Sequence, residues 1–168
     1  MRTPLLLVLV AAPQEAAPEY ELKAAFLYNF ATYADWPADA WPDPRAPFRV
    51  GVCGKDPFGP LLEEAFLGKT VGGRAIVVKR SPEVADLRSC QLVFVPASER
   101  TSRVLLALEG TRALTVGERE GFAEEGGCVN FYLEGKRVRF EINPEAAKRA
   151  GLKISSKLLR LARIVKDK

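Results

Sequence analysis

The chain contains no histidine. This removes the usual general base near neutral pH and the commonest nitrogen ligand for metals. A Ser-His-Asp or Cys-His arrangement is therefore excluded. A zinc site would need cysteine and carboxylates alone, and Cys53, Cys90 and Cys128 lie far apart in sequence. The stretch Gly51 to Gly59 (GVCGKDPFG) joins glycines to Lys55 and Asp56 where a strand turns into a helix. In parallel α/β sheets that edge takes ligands, which makes Gly54, Lys55 and Asp56 candidate ligand-binding residues. The G-x-x-x-x-G-K spacing and the following Ser or Thr of a phosphate loop are missing, so the motif favours a structural turn. Glu118, Glu120, Glu124 and Glu125 crowd a segment holding Gly117, Gly121, Gly126 and Gly127. Paired carboxylates can serve acid–base chemistry or hold a cation. The spacing of a calcium loop is absent, and the composition reads as a mobile solvated loop open to a partner. No catalytic set, metal site or cofactor motif emerges.

The elements that would carry these residues alternate. A helix is expected from Glu19 to about Ala34, with acids in its first turn and Leu22, Phe26, Phe30 and Tyr33 at helical spacing. Its flanks are also mostly apolar, as in a helix that is buried or shared with a partner. Asp35-Trp36-Pro37 ends it. Apolar runs at 48–53, 75–79, 91–95 and 113–116 read as buried strands, with helices over 58–67 and 99–108 and a short link at 82–87 between them. Continuous apolar strands alternating with helices imply a mostly parallel sheet flanked by helices on both faces, a Rossmann-like three-layer α/β sandwich. Residues 129–134 and 138–142 then alternate apolar and polar, as in an antiparallel edge hairpin. Glu141 is expected to face outward there, forming a polar strip with Arg137 and Arg139 that would suit a partner or protect the edge. Asn143-Pro144 starts a helix that Gly151 ends. A last helix, beginning near Ser155 or Ser156, carries the apolar stripe Leu158, Leu161, Ala162 and Val165.

The 168 residues suit one domain with a core of its own. A net charge of +4 without a block of like charges gives no sign of a nucleic-acid arm. Residues 1–17 read as a secretory signal: Arg2, the apolar run Leu5 to Ala12, then small residues, with no clear cleavage site. The run is too short to span a bilayer. Residues 18–168 would form the exported domain.

Four segments together resemble the YfiR family: Lys23 to Phe30 with Trp36-Pro37; Gly54 to Gly59; Leu114 to Gly117 with Gly121-Phe122 and Gly126 to Phe131; and Phe140 to Asn143 with Ala150 to Ala162. Their order and spacing carry the likeness over about residues 19–165. The resemblance implies a periplasmic protein that binds the periplasmic part of an inner-membrane diguanylate cyclase and holds it inactive. It also implies relief by an outer-membrane lipoprotein, an output in cyclic-di-GMP and biofilm, and no catalysis. Similar domains look like the sensory input of membrane kinases, which leaves open a small-molecule sensor. On this view Phe26 and Phe30, with Arg137, Arg139 and Glu141, are candidate partner contacts, since aromatics dominate binding hot spots. One side of the first helix also offers a homodimer interface. The resemblance further implies a Cys53–Cys90 disulfide. Against it, the two cysteines would sit at opposite ends of neighbouring parallel strands, ~17 Å apart over a five-residue strand, whereas a bridge needs Cα atoms within ~7 Å.

Overall fold

The computed structural model describes residues 16–168. The expected export signal lies outside the described residues except at Ala16 and Ala17, which begin helix α1 (Ala16–Thr32). Ala24, Leu27, Phe30 and Ala31 put one face of α1 into the core, at the three-to-four spacing of a helix that packs along one side. A two-residue strand β1 (Ala34–Asp35) follows, and then strand β2 (Phe48–Cys53). The order continues as α2 (Leu61–Phe66), β3 (Thr70–Val71), β4 (Arg74–Ser81), β5 (Leu92–Val95), α3 (Thr101–Ala107) and β6 (Leu114–Gly117). It closes with β7 (Val129–Glu134), β8 (Arg137–Ile142), α4 (Pro144–Arg149), β9 (Lys153–Ile154), α5 (Ser156–Leu161) and β10 (Arg163–Ile164).

Eight strands form one sheet in the order β10-β8-β7-β6-β5-β2-β4-β3. The run β4-β2-β5-β6-β7 is parallel, and β7–β8 is the expected antiparallel hairpin. The α/β class and the mostly parallel sheet agree with the sequence. Successive residues of each central strand feed opposite faces. Phe48, Val50, Val52, Leu92, Phe94, Leu114 and Val116 join the larger core under α1 and α2. Cys53, Val93 and Val95 join a smaller one with Val104 of α3 and Leu108 just beyond it.

Three expectations change. The apolar run in β4 is not a buried strand: Ala75, Val77 and Lys79 are exposed, because β4 lies one place from the sheet edge and nothing covers its second face there. The last helix stops at Leu161 after six residues. A helix that short has little stability of its own, whereas the open side of β8 offers unpaired backbone groups. Arg163 and Ile164 pair parallel to Glu141 and Ile142, and the Val165 N–H donates to the Ile142 carbonyl. The hairpin therefore does not end the sheet at its C-terminal half. The glycine-rich segment after β6 is packed. Phe122 is buried between Gly117 and Gly127, where a Cβ on either glycine would overlap its ring.

Asn143 caps α4 as its sequence context implies, its Oδ1 accepting from the Ala146 N–H at 3.2 Å. Its Nδ2 also donates to the Ala123 carbonyl at 2.8 Å and to Asp167 at 2.7 Å, and Asp167 bridges Arg149. Lys168 pairs with Glu124 at 3.0 Å. The tail thus fastens the packed 118–128 segment.

Candidate functional site

The strand order places a topological switch point between β2 and β5, where open α/β sheets bind ligands beyond their carboxyl ends. Here that crevice is filled. Gly54 takes a φ of 72°, and the Glu99 side chain occupies the space a Cβ would need. Asp56 accepts from the N–H groups of Phe58 (2.9 Å) and Gly59 (3.0 Å) and from Arg80 Nε (2.8 Å), so both its oxygens serve the turn. Lys55 is exposed. Tyr20 and Lys23 of α1 reach across the same edge. The Tyr20 ring meets Phe58 edge-on at 5.4 Å. The Lys23 ammonium, in a residue only 3% exposed, lies 2.6 Å from Glu19 and 2.9 Å from Glu118. The Tyr20 hydroxyl donates to Glu118 at 3.1 Å. Burial, then the Glu118 charge, push the Tyr20 hydroxyl well above its ordinary pKa.

The remaining candidates divide. Phe30 is fully buried among Phe26, Phe131 and Phe140, so it holds the core and cannot meet a partner. Glu141 does not face solvent: it is 3% exposed, because it projects to the face opposite Phe140 and Ile142 and is closed over by β10. Arg163 donates to Glu141 Oε2 at 2.6 and 3.1 Å, and Asn130 donates to its other oxygen at 3.3 Å. Arg137 and Arg139 are exposed, and Arg139 lies 3.9 Å from Glu134. The outward strip therefore keeps its arginines and loses its carboxylate.

Phe26 is half-buried on the wall of a small cleft of about 120 Å³ between α1 and α5. Asn29, Tyr33, Phe140, Lys157, Leu158 and Leu161 complete it. Around it Leu22, Tyr33 and Leu161 remain 45%, 41% and 70% exposed. Helical spacing assigned all three to buried stripes. The near-complete apolar girth of α1, read from the sequence as that of a helix buried or shared with a partner, leaves more apolar surface than one core contact could cover. An exposed apolar cluster around a cleft marks a contact site.

The sequence model of the YfiR/HmsC-like family matches residues 20–163. The chain belongs to the YfiR/HmsC-like family. Among curated proteins none matches it. A crystal structure of a conserved domain protein from Vibrio cholerae superposes with a TM-score of 0.56 at 12% identity, covering 89% of this chain and 60% of that one. The ABC domain from Streptococcus pneumonia, solved in complex with L-Trp, gives 0.50 at 12% identity, covering 70% of this chain and 55% of its own. The chain thus spans less than two thirds of either structure, and at this identity the likeness shows the fold alone.

The three thiols of this YfiR/HmsC-like chain are free and buried in the structure. The Cys53–Cys90 bridge implied by resemblance is not formed. Cys90 nevertheless lies over the face of β2 that carries Cys53. Its Sγ sits 3.0 Å from where a Cβ on Gly51 would be, and Cys53 leaves the same face of β2 two residues on. Burial pushes both thiols up to about 11, with Lys79 and Arg49 pulling Cys90 the other way. A folded-state pKa above the unfolded value stabilises the reduced protein fully below about pH 9. That stability is lost as pH rises through 11, since only the unfolded chain ionises across this window. Denaturant titrations of the reduced protein are expected to show this alkaline loss, and Cys53→Ala with Cys90→Ala to reduce it, the remainder coming from Cys128 and Tyr20, whose pKa values burial also raises. An oxidised sample showing the same reduced loss as the double variant would reveal the bridge.

Proposed function

We propose that this chain is an exported regulator that binds the periplasmic part of an inner-membrane diguanylate cyclase and holds it inactive, lowering cyclic-di-GMP. Membership of the YfiR/HmsC-like family supports a regulatory role. No helix among the described residues is long and apolar enough to cross a membrane. The observation that carries the proposal is the cleft between α1 and α5 with Leu22, Tyr33 and Leu161 exposed around it. Such a surface suits a protein partner, with aromatic anchors at its centre and Lys157 on its rim. An outer-membrane lipoprotein competing for the same face would relieve repression.

A photo-crosslinker at Tyr33, in cells exporting the protein, is expected to capture an inner-membrane protein with a cyclase output domain. Leu161→Asp, at an exposed site, should weaken capture about tenfold with little change in thermal stability, and should raise cyclic-di-GMP. Efficient crosslinking that yields no such protein, or full repression by the variant, would sink the proposal.

A second reading rests on a wider groove of about 770 Å³ between α3 and α4, with Leu105, Leu108, Ala113, Cys128 and Arg149 on its walls. Its size falls in the range of small-molecule sites, as a sensor acting on a membrane kinase would need. Native mass spectrometry of protein purified from its periplasm would show a retained ligand if that reading holds.

A further inference from the structure

We propose that the outer edge of β4 is a second docking site, which takes an extended, acidic segment of a partner polypeptide as an added strand. The observations lie away from the α1–α5 cleft. On its inner side β4 pairs with β2 from Ile76 to Ser81. On its outer side β3 covers only Arg74 and Ala75. Among the described residues no strand pairs with the outer side of Ile76–Ser81. A row of free N–H and C=O groups is a template for strand addition.

The usual protections of such an edge are weak here. The run is six residues long and contains no proline. Arg80 does not guard it, because its guanidinium is held by Asp56 at 2.8 Å and Glu63 at 2.5 Å and also donates to the Gly59 carbonyl. On the opposite face Ala75, Val77 and Lys79 project in alternation, and Val77 is 44% exposed. An apolar residue left half in water beside an open edge is the arrangement that a cross-strand neighbour would cover.

Charge selects the occupant. Lys79 lies in register with Gly51, and Arg49 with Val77, so both cations share one face of the sheet with Val77, a face that Leu87 and Cys90 cover at Gly51 but that stays open along β4. Neither forms an ion pair or side-chain hydrogen bond among the described residues. Glu83 follows two residues after the strand, and Asp86 is engaged by Ser81. Pairing with a second copy would bring two Lys79–Arg49 pairs together on one face, with like charges opposed. A strand that sets an acidic side chain beside Lys79 and, two positions along on the same face, an apolar one beside Val77 would instead neutralise the cations and cover the valine.

The test uses the mature protein and two soluble synthetic peptides, one repeating Glu-Thr-Val-Thr and one repeating Lys-Thr-Val-Thr, so that charge and valine share one face. Hydrogen exchange is expected to slow at amides of Val77 to Arg80 with the Glu peptide only, and binding is expected to weaken as salt rises. Lys79→Glu with Arg49→Glu should lower affinity for the Glu peptide about tenfold and transfer the preference to the Lys peptide. If that pair of changes disturbs the fold, Lys79→Gln alone at its exposed site should still weaken the Glu peptide. Equal protection by both peptides, or none, would overturn the proposal. So would protection without peptide that grows with protein concentration alongside a dimer in sedimentation, since a second copy would then own the edge.

Discussion

Replacing Glu118 with alanine is expected to lower folding stability by about 3 kcal/mol. The Lys23 ammonium sits in a nearly closed site with Glu19 and Glu118 as its carboxylates, and Glu118 is the more buried of the two. Removing it leaves a cation half-paired away from water and strips the Tyr20 hydroxyl of its acceptor. Uncompensated buried charge, rather than lost attraction, drives the loss. The sign is testable by a double change. Lys23→Met with Glu118→Leu removes both charges and should recover most of the stability, although Lys23→Met alone strands the carboxylate. Urea unfolding of the wild type, Glu118→Leu, Lys23→Met and the double variant gives the coupling directly. A spectroscopic check runs beside it: Tyr20 should titrate at lower pH in the Glu118→Ala protein, because one cause of its raised pKa is gone. Additive losses with an unchanged tyrosine titration would show that the cluster is a surface ornament.

Gly127→Ala should destabilise by about 2–3 kcal/mol although it adds a single methyl group. Its Cβ would fall inside the Phe122 ring, and Gly117 blocks retreat on the other side. The ring is buried, so it has no solvent to swing into. Phe122→Leu alone should lose about 1–2 kcal/mol by leaving a void. Combined with Gly127→Ala it should lose less than the sum, since the smaller side chain clears the methyl. Thermal melts of the two single variants and the double variant decide it. A sum that is simply additive would mean the segment relaxes freely, and the packed reading of residues 118–128 would be wrong.

The buried strands β2, β5 and β6 were legible because their residues are apolar but for Arg49 and Thr115 and turn residues bracket them. The Asn143-Pro144 cap was legible because capping is local chemistry. Glu141, Lys23 and β10 were not. Alternation in β8 correctly put Glu141 opposite Phe140, but its burial depends on a strand that pairs 22 residues later, with Arg163 closing over it. Lys23 reads as a solvated face of a helix until Glu118 arrives beside it. For the candidate site, the aromatic residues of α1 were visible, whereas which of them stays in water was not. Phe30 and Tyr33 differ by three positions in sequence and by their neighbours in space. The turn at Gly54 was read as structural from its failed phosphate-loop spacing, and Asp56 bonding to its own turn supplies the reason.

The tie between Tyr20 and Glu118 joins residues 98 apart, and α1 finds Phe131 and Phe140 still further along. The sheet closes only when Arg163 to Lys168 reach β8 and the 118–128 segment. A chain emerging from a narrow pore with its N-terminus first would therefore have to wait. Its earliest helix could meet Phe58 and α2 early, but would lack its seat on β7 and β8 until most of the chain was through. Contacts so distant make folding slow. The same arrangement makes the protein sensitive to loss of its final residues, since without them the first helix would have a complete seat but an unlatched door.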